Sequence, residues 1–218
     1  MAGDRYIPAL RFRALTSSYD RIVRVTTRER QFKERLIERA SLRHGERVLD
    51  LGCGTGTLAL AAKQAQPDTT VVGVDADPAI LDLARSKAEH NSADVDFVEG
   101  ISTELPFDDG SFDLVLSTLF FHHLAPDAKR ATAAELARIL LPSGRLHVAD
   151  WGPPQDHLMA FLFLGIRLLD GFEPTRGSVD GDLPKIFSNA GFTEYARRER
   201  LRTPFGSLAF YSGFRQLG

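Results

Sequence analysis

The stretch Arg47-Val48-Leu49-Asp50-Leu51-Gly52-Cys53-Gly54-Thr55-Gly56-Thr57-Leu58 constrains this chain more than any other. The short apolar run Val48 to Leu51 reads as a strand, and glycine then takes every second position. Apolar residues resume at helical spacing through Leu58, Ala61, Ala62 and Ala65. A strand that passes into a helix through alternating glycines lets a ligand rest on main-chain atoms. A Cβ at those positions would block the approach, and glycine takes positive φ without strain. The helix that follows turns its unpaired N–H groups and the positive end of its dipole to the same spot. A ligand that is nucleotide-like or carries a carboxylate is expected there.

The spacing is not the dinucleotide fingerprint G-x-G-x-x-G. Here the order is Asp50-x-Gly52-x-Gly54-x-Gly56, with an acid two residues before the first glycine. That carboxylate would repel a pyrophosphate and favour a ligand with an ammonium group. In these residues the chain resembles the class I S-adenosylmethionine (SAM)-dependent methyltransferases, whose first motif has the same form.

The rest of the chain alternates strands and helices. Thr27 to Leu42 predicts an amphipathic helix with Phe32, Leu36 and Ala40 on one face, and Thr26 with Glu29 forms a capping box. Strands are expected at Val48–Leu51, Thr70–Val74, Val95–Glu99, Phe112–Ser117 and Arg145–Asp150. The glycine turn leads a helix to about Gln66. Asp77-Pro78 opens another, with Asp77 as N-cap and Leu81, Ala84 and Ala88 on its apolar side. A further helix from Asp127 to Leu140 stops at Pro142-Ser143-Gly144. The alternation predicts a parallel sheet with helices on both faces. After Asp150 the pattern breaks, and a helix from Leu183 to Ala190 precedes two strands, Glu194–Thr203 and Ser207–Phe214, that should pair antiparallel. The resemblance implies an α/β Rossmann-like three-layer sandwich with seven strands in the order 3-2-1-4-5-7-6. On this reading residues 1–218 form one methyltransferase domain: an N-terminal helical cap (1–45), a cofactor-binding core (46–150), a substrate lid insert (151–181), and a C-terminal helix and hairpin (182–218).

Composition narrows the function. A net charge of −2 and a pI near 6.3 leave no electrostatic footprint for nucleic acid. The most apolar run, Phe161 to Ile166, is far short of the ~20 residues a bilayer span needs. The single cysteine, Cys53, rules out an intrachain disulfide and a multi-cysteine metal site, and no metal is expected. The arginine-rich first thirty residues hold no secretory core, so a cytoplasmic protein is expected, either monomer or homodimer.

Ligands of open α/β sheets bind at the carboxyl ends of the strands. Asp75 stands at such an end, where a carboxylate can accept hydrogen bonds from the two hydroxyls of a ribose. The alternative, a helix cap, is better served by Asp77. Ala76 leaves room for an adenine face. The segment from Val98 to Asp113 is similar to the small-molecule methyltransferases related to the ubiquinone and menaquinone C-methyltransferases. Those read Gly-Asp-Ala where this chain has Gly100-Ile101-Ser102. The resemblance places adenine near Ile101 and Ser102 with its acid missing, so Ser102 would contribute through main chain or hydroxyl. It runs the segment Ser117 to Leu124 beneath the methionine part of the cofactor and into the substrate pocket, with Ser117 and Thr118 on the cofactor side. It also has Tyr19, in Leu15 to Asp20, close over the cofactor. Together with Asp50, Gly52, Cys53, Gly54 and Gly56 these are the expected SAM-binding residues. His122 and His123 are the general-base candidates, although a His pair at a helix start also caps or fills space. Trp151, His157, Phe161, Phe163 and Phe172 suggest a flat or apolar acceptor, and equally well a packing role.

The expected activity is methyl transfer from SAM to a small, apolar or aromatic molecule. A catalytically silent SAM-binding regulatory protein is one rival, and a methyltransferase for a protein or lipid headgroup is another. A nicotinamide oxidoreductase is disfavoured by the glycine spacing and by Asp50.

Overall fold

The computed structural model describes residues 29–153, 182–203 and 206–216, with the side chains of 194–198 excepted. Within it, α1 (Glu29–Ala40), β1 (Arg47–Leu51), α2 (Thr57–Ala65), β2 (Thr70–Asp75), α3 (Pro78–His90), β3 (Val95–Glu99) and β4 (Phe112–Thr118) follow one another. A 3-10 turn (Phe121–His123), α4 (Pro126–Ile139), β5 (Leu140–Trp151), α5 (Leu183–Asn189), β6 (Phe192–Thr203) and β7 (Gly206–Arg215) complete the order. The seven strands form one sheet in the order β3-β2-β1-β4-β5-β7-β6, as expected. The first five pair in parallel, while β7 runs antiparallel between β5 and β6.

Alternation along each strand divides the core into the two outer layers. Val48, Val71, Leu114 and Leu116 face α1, α2 and α3, meeting Phe32, Leu36, Leu58, Leu81 and Ala84. Leu49, Leu51, Val72, Val115 and Leu146 face the other way, toward Ala133, Leu136 and Phe187 of α4 and α5. The helical faces read from sequence hold for α1 and α3. In α2 the buried stripe is Leu58, Ala59 and Ala62, whereas Ala65 is exposed and Ala61 half-buried. The sheet surface meets that helix one residue off the expected line.

Other comparisons concern element boundaries. Asp77 caps α3 by accepting from the Ala79 N–H at 2.9 Å, as expected. The helix before Pro142 starts one residue early because Pro126 occupies its first turn. β5 begins at Leu140 and not at Arg145, because Leu140 already pairs with Phe112; the residues between bulge out, with Ser143 at φ 63. Trp151, expected in a lid, is the last residue of β5, is 3% exposed and belongs to the core. The lid residues beyond Pro153, Tyr19 and the Thr26 half of the capping box lie outside the described residues.

At the end of the sheet away from the strand carboxyl ends, Arg145 is 7% exposed and places Nη2 2.6 Å from each oxygen of Glu46, itself 8% exposed. Its Nη1 donates to the Ala40 and Ser41 carbonyls. One guanidinium thus ties β5 to the end of α1 and the start of β1. At the same end, beside the start of β4, Arg138 of α4 donates to the carbonyls of Leu105 and Phe107 and pairs with Glu135 and Asp109, holding the loop between β3 and β4 against the helix.

Candidate active site

The three glycines are all left-handed, at φ 67, 53 and 73 for Gly52, Gly54 and Gly56, but their surroundings differ. A Cβ on Gly52 would come within 2.3 Å of the Phe120 ring, and one on Gly56 within 2.7 Å of the Phe97 ring. A Cβ on Gly54 would meet nothing within 4 Å. Only the middle glycine therefore opens onto free space, while its neighbours are needed for packing. Packing thus accounts for glycine at 52 and 56, and open space singles out Gly54.

The loop's N–H groups are also largely committed. Gly52 and Cys53 both donate to the Val74 carbonyl, at 2.9 and 3.0 Å, and Gly56 donates to Cys53 at 2.9 Å. The Gly54 N–H reaches Asp75 Oδ2 at 2.9 Å, and Asp75 Oδ1 accepts from the Asp77 N–H at 3.1 Å. Two lysines brace the turn from outside. Lys87 donates to the carbonyl and hydroxyl of Thr55, and Lys33 to the hydroxyl of Thr57. Cys53 is 6% exposed, packed inward, and burial raises its thiol pKa.

Asp50 is 1% exposed, and its Oδ2 accepts from the Ala59 N–H at 3.0 Å. The carboxylate expected to meet an ammonium group thus caps α2 from beneath the loop. Burial lifts its pKa to about 7, against the opposing pull of Lys33 and the Ala59 hydrogen bond, with Asp75 adding to the rise. A carboxyl with a higher pKa folded than unfolded favours folding while it holds its proton. That contribution is complete below about pH 4, the range of an unfolded aspartate. It is lost as pH rises through 7. Asp50→Asn stays neutral, so its stability relative to wild type should rise by about 2–4 kcal/mol from pH 4 to pH 7.5. Urea melts of both proteins at the two pH values read this, and an unchanged difference would count against a protonated Asp50.

Asp75 is half-buried at the carboxyl end of β2, and burial raises its pKa against its backbone hydrogen bonds. Ala76 beside it is half-buried. Ile101 is 59% exposed at the end of β3, an apolar side chain on the rim where an acid is absent. Ser102 is 7% exposed and its hydroxyl is engaged with that of Thr132 at 2.9 Å, so only its main chain faces the rim. Ser117 is fully buried and donates to the Leu51 carbonyl at 2.9 Å, bridging the ends of β4 and β1; Thr118 is half-buried.

The two histidines part company. His122 is 3% exposed with Nδ1 2.8 Å from Asp150 Oδ1. The His123 ring lies 3.8 Å from that of His122 and is exposed in the crevice. Burial, then the His122 imidazole, lowers its pKa. Phe97, the lysines that brace the turn and the seat of the Phe120 ring on Gly52 went unread in the sequence. A bulky aromatic two residues past an apolar strand was the available signal for Phe120. Among the described residues no three His, Cys, Asp or Glu side chains gather as a metal site would need, and no helix is long and apolar enough to cross a membrane.

The sheet order sets the open Gly54 beside the strand-end carboxylate Asp75 at the carboxyl ends of β1 and β2, where open α/β sheets bind ligands. Comparison with known proteins points the same way. A family profile described as "Methyltransferase domain" matches residues 48–144. Demethylmenaquinone methyltransferase of Thermus thermophilus is 38% identical over 66% of this chain and 65% of its own length. An uncharacterized methyltransferase of Synechocystis is 31% identical over 76% of this chain and 75% of its own. Among solved structures, a SAM-dependent methyltransferase from Aquifex aeolicus superposes with a TM-score of 0.64 at 17% identity, covering 84% of this chain and 89% of that one. The [4+2]-cyclase SpnF does so at 0.70 and 19%, covering 86% and 81%. The match spans just under two thirds of the Thermus enzyme. From the glycine turn, the strand order and these relatives together, the chain belongs to the methyltransferase family.

Proposed function

We propose that the chain binds SAM at Gly54 and Asp75 and transfers its methyl group to a small, apolar or aromatic acceptor. The observation that carries this is the empty space over Gly54 beside a carboxylate whose oxygens already gather N–H groups and are placed to take ribose hydroxyls. The cofactor supplies an activated methyl group on a sulfonium. The protein's own share is orientation and exclusion of water. Asp75 holds the ribose, Ala76 and Ile101 flank the adenine with apolar surface, and the Ser102 main chain meets its edge. Phe120 and His123 border the acceptor side. A neutral His123 suits an uncharged acceptor and offers a proton-accepting nitrogen, whereas His122 is committed to Asp150. The name of the Thermus relative supports an aromatic ring of the menaquinone kind. We take residues 1–218 as one domain on this reading.

Asp75→Ala tests the site. Hydrogen bonds to a charged acceptor contribute ~1.5–3 kcal/mol each. Because Asp75 already serves two N–H groups, ribose binding exchanges partners and the net gain is smaller. SAM affinity should fall about ten- to a hundredfold by calorimetry, since ~1.4 kcal/mol is tenfold. The variant should also lose roughly 1 kcal/mol of stability with its two backbone hydrogen bonds. Wild-type protein that prefers NAD to SAM, or a variant that binds SAM undiminished, would reject the assignment. Transfer of labelled methyl from SAM to a panel of phenols and quinols separates an enzyme from a silent SAM-binding protein.

A further inference from the structure

Asp150, the penultimate residue of β5, is fully buried and gathers five donors. Its Oδ2 accepts from the N–H groups of Phe120, Phe121 and His122 at 3.1, 2.6 and 3.3 Å. Its Oδ1 takes His122 Nδ1 at 2.8 Å and the Trp151 N–H at 2.7 Å. The first three donors open the 3-10 turn, where backbone geometry leaves N–H groups without partners in the turn. Ahead of them Leu119 stands at φ 51, a conformation costly for a leucine, while its own N–H still reaches the Ala149 carbonyl at 2.9 Å. The chain leaves β4 through a strained residue and is caught at once by the carboxylate. Such strain persists only where the surroundings over-determine it.

The captured turn carries Phe120, whose ring lies on Gly52 of the glycine loop. Phe120 also meets Phe121 edge-on at 5.5 Å, and Phe121 meets Phe187 in the same manner at 5.2 Å, so the turn has a buried anchor on its far side. Contact therefore runs without a gap from Asp150 through the turn and Phe120 to the loop that bears Gly54.

We propose that Asp150 is a positioning residue that, through the Phe120–His123 turn, sets the Phe120 ring on the glycine loop and so holds the cofactor cradle in register with the acceptor side. The proposal rests on the methyltransferase reading for the identity of the cradle's ligand. Asp150 itself transfers nothing: it is sealed from the crevice and both its oxygens are occupied. Burial alone would raise its pKa, but the imidazole of His122 and the hydrogen bonds outweigh that and hold it below the usual carboxylate range.

A double-mutant cycle on S-adenosylhomocysteine binding, measured by calorimetry, separates positioning from general support of the fold. Asp150→Asn keeps the shape but leaves one acceptor oxygen, so the turn and the imidazole cannot both be served. It should weaken binding about tenfold. Phe120→Ala deletes the last link without touching Asp150 and should also weaken binding about tenfold. In the Phe120→Ala background, Asp150→Asn should cost less than threefold, because the route it acts through is already gone. The single tryptophan, Trp151, lies 6.3 Å from the His122 ring, and its fluorescence should shift with Asp150→Asn but not with Phe120→Ala. Losses that multiply in the double variant would overturn the proposal. So would unchanged affinity in Phe120→Ala, even if Asp150→Asn failed to fold. No binding by the wild type would overturn the cofactor reading, and the positioning claim with it, an outcome distinct from multiplied losses.

Discussion

Gly54→Val is expected to reduce SAM binding by more than a thousandfold, to below detection by calorimetry, while the domain remains folded. The Cβ of residue 54 points into open space, so valine strikes nothing inside the protein. Its two methyl groups fill the volume that the cofactor would occupy. At φ 53 a β-branched residue is also strained by roughly 1–2 kcal/mol, which pulls the Gly54 N–H away from Asp75. For a domain of this size that strain lowers the melting temperature by only roughly 2–8 °C. The neighbouring glycines supply the control. Gly52→Ala and Gly56→Ala drive a methyl group into the Phe120 and Phe97 rings, so their stability should fall further than that of Gly54→Ala. Retained affinity in Gly54→Val would remove the ligand from the loop. Equal stability loss at all three positions would remove the distinction between them.

Arg145→Met is expected to cost about 3–5 kcal/mol, the usual result of stripping one partner from a buried ion pair. The carboxylate of Glu46 would be left at 8% exposure with the Arg43 N–H at 2.8 Å and the exposed Arg43 guanidinium at 3.9 Å to hold it. The Ala40 and Ser41 carbonyls would lose their donor as well. At ~2–4 °C per kcal/mol the melting temperature should drop by roughly 6–20 °C. Replacing both partners, Arg145→Met with Glu46→Leu, should restore most of the loss, since no unpaired charge then remains buried. A double variant no more stable than Arg145→Met would show that the guanidinium matters for the carbonyls of α1 and not for the carboxylate.

The half of the fold that was legible in sequence is the half whose instructions are local. Asp77 before Pro78 announced a helix start, and the β-branched run ending at Asp75 announced a buried strand with a carboxylate at its end. The glycine turn between Leu51 and Thr57 could be read in the same way, because conformation and side-chain chemistry there depend on adjacent residues. Other features depend on partners far along the chain. Asp150 collects its turn from about thirty residues upstream, and Arg145 meets Glu46 across 99 positions. The inward hydroxyls of Ser102 and Ser117 follow from Thr132 and Leu51, which no local pattern brings to mind. The early start of β5 was hidden because Pro142-Ser143-Gly144 reads as a turn, and it is one, folded into a bulge. The glycine turn and the strand-end carboxylate thus announced themselves, whereas the turn held by Asp150 depends on tertiary contact.

The position of β7 has a consequence for how the molecule comes into being. It follows β6 in the chain yet lies inside it, and it supplies Ala209 and Leu208 opposite Asp150 and Trp151. During synthesis the strands that carry the glycine loop and Asp75 emerge first and can zip together over short chain separations. β5 must wait with an unpaired edge until β7 has been made, and β6 has nothing to join before then. Non-local pairing of this sort is slow, and an unsatisfied strand edge is exposed to misassembly in the interval. A nascent chain arrested between β6 and β7 should therefore hold a nearly finished glycine turn and Asp75 beside an unpaired β5 edge. It would be most prone at that moment to capture by chaperones or by another nascent chain.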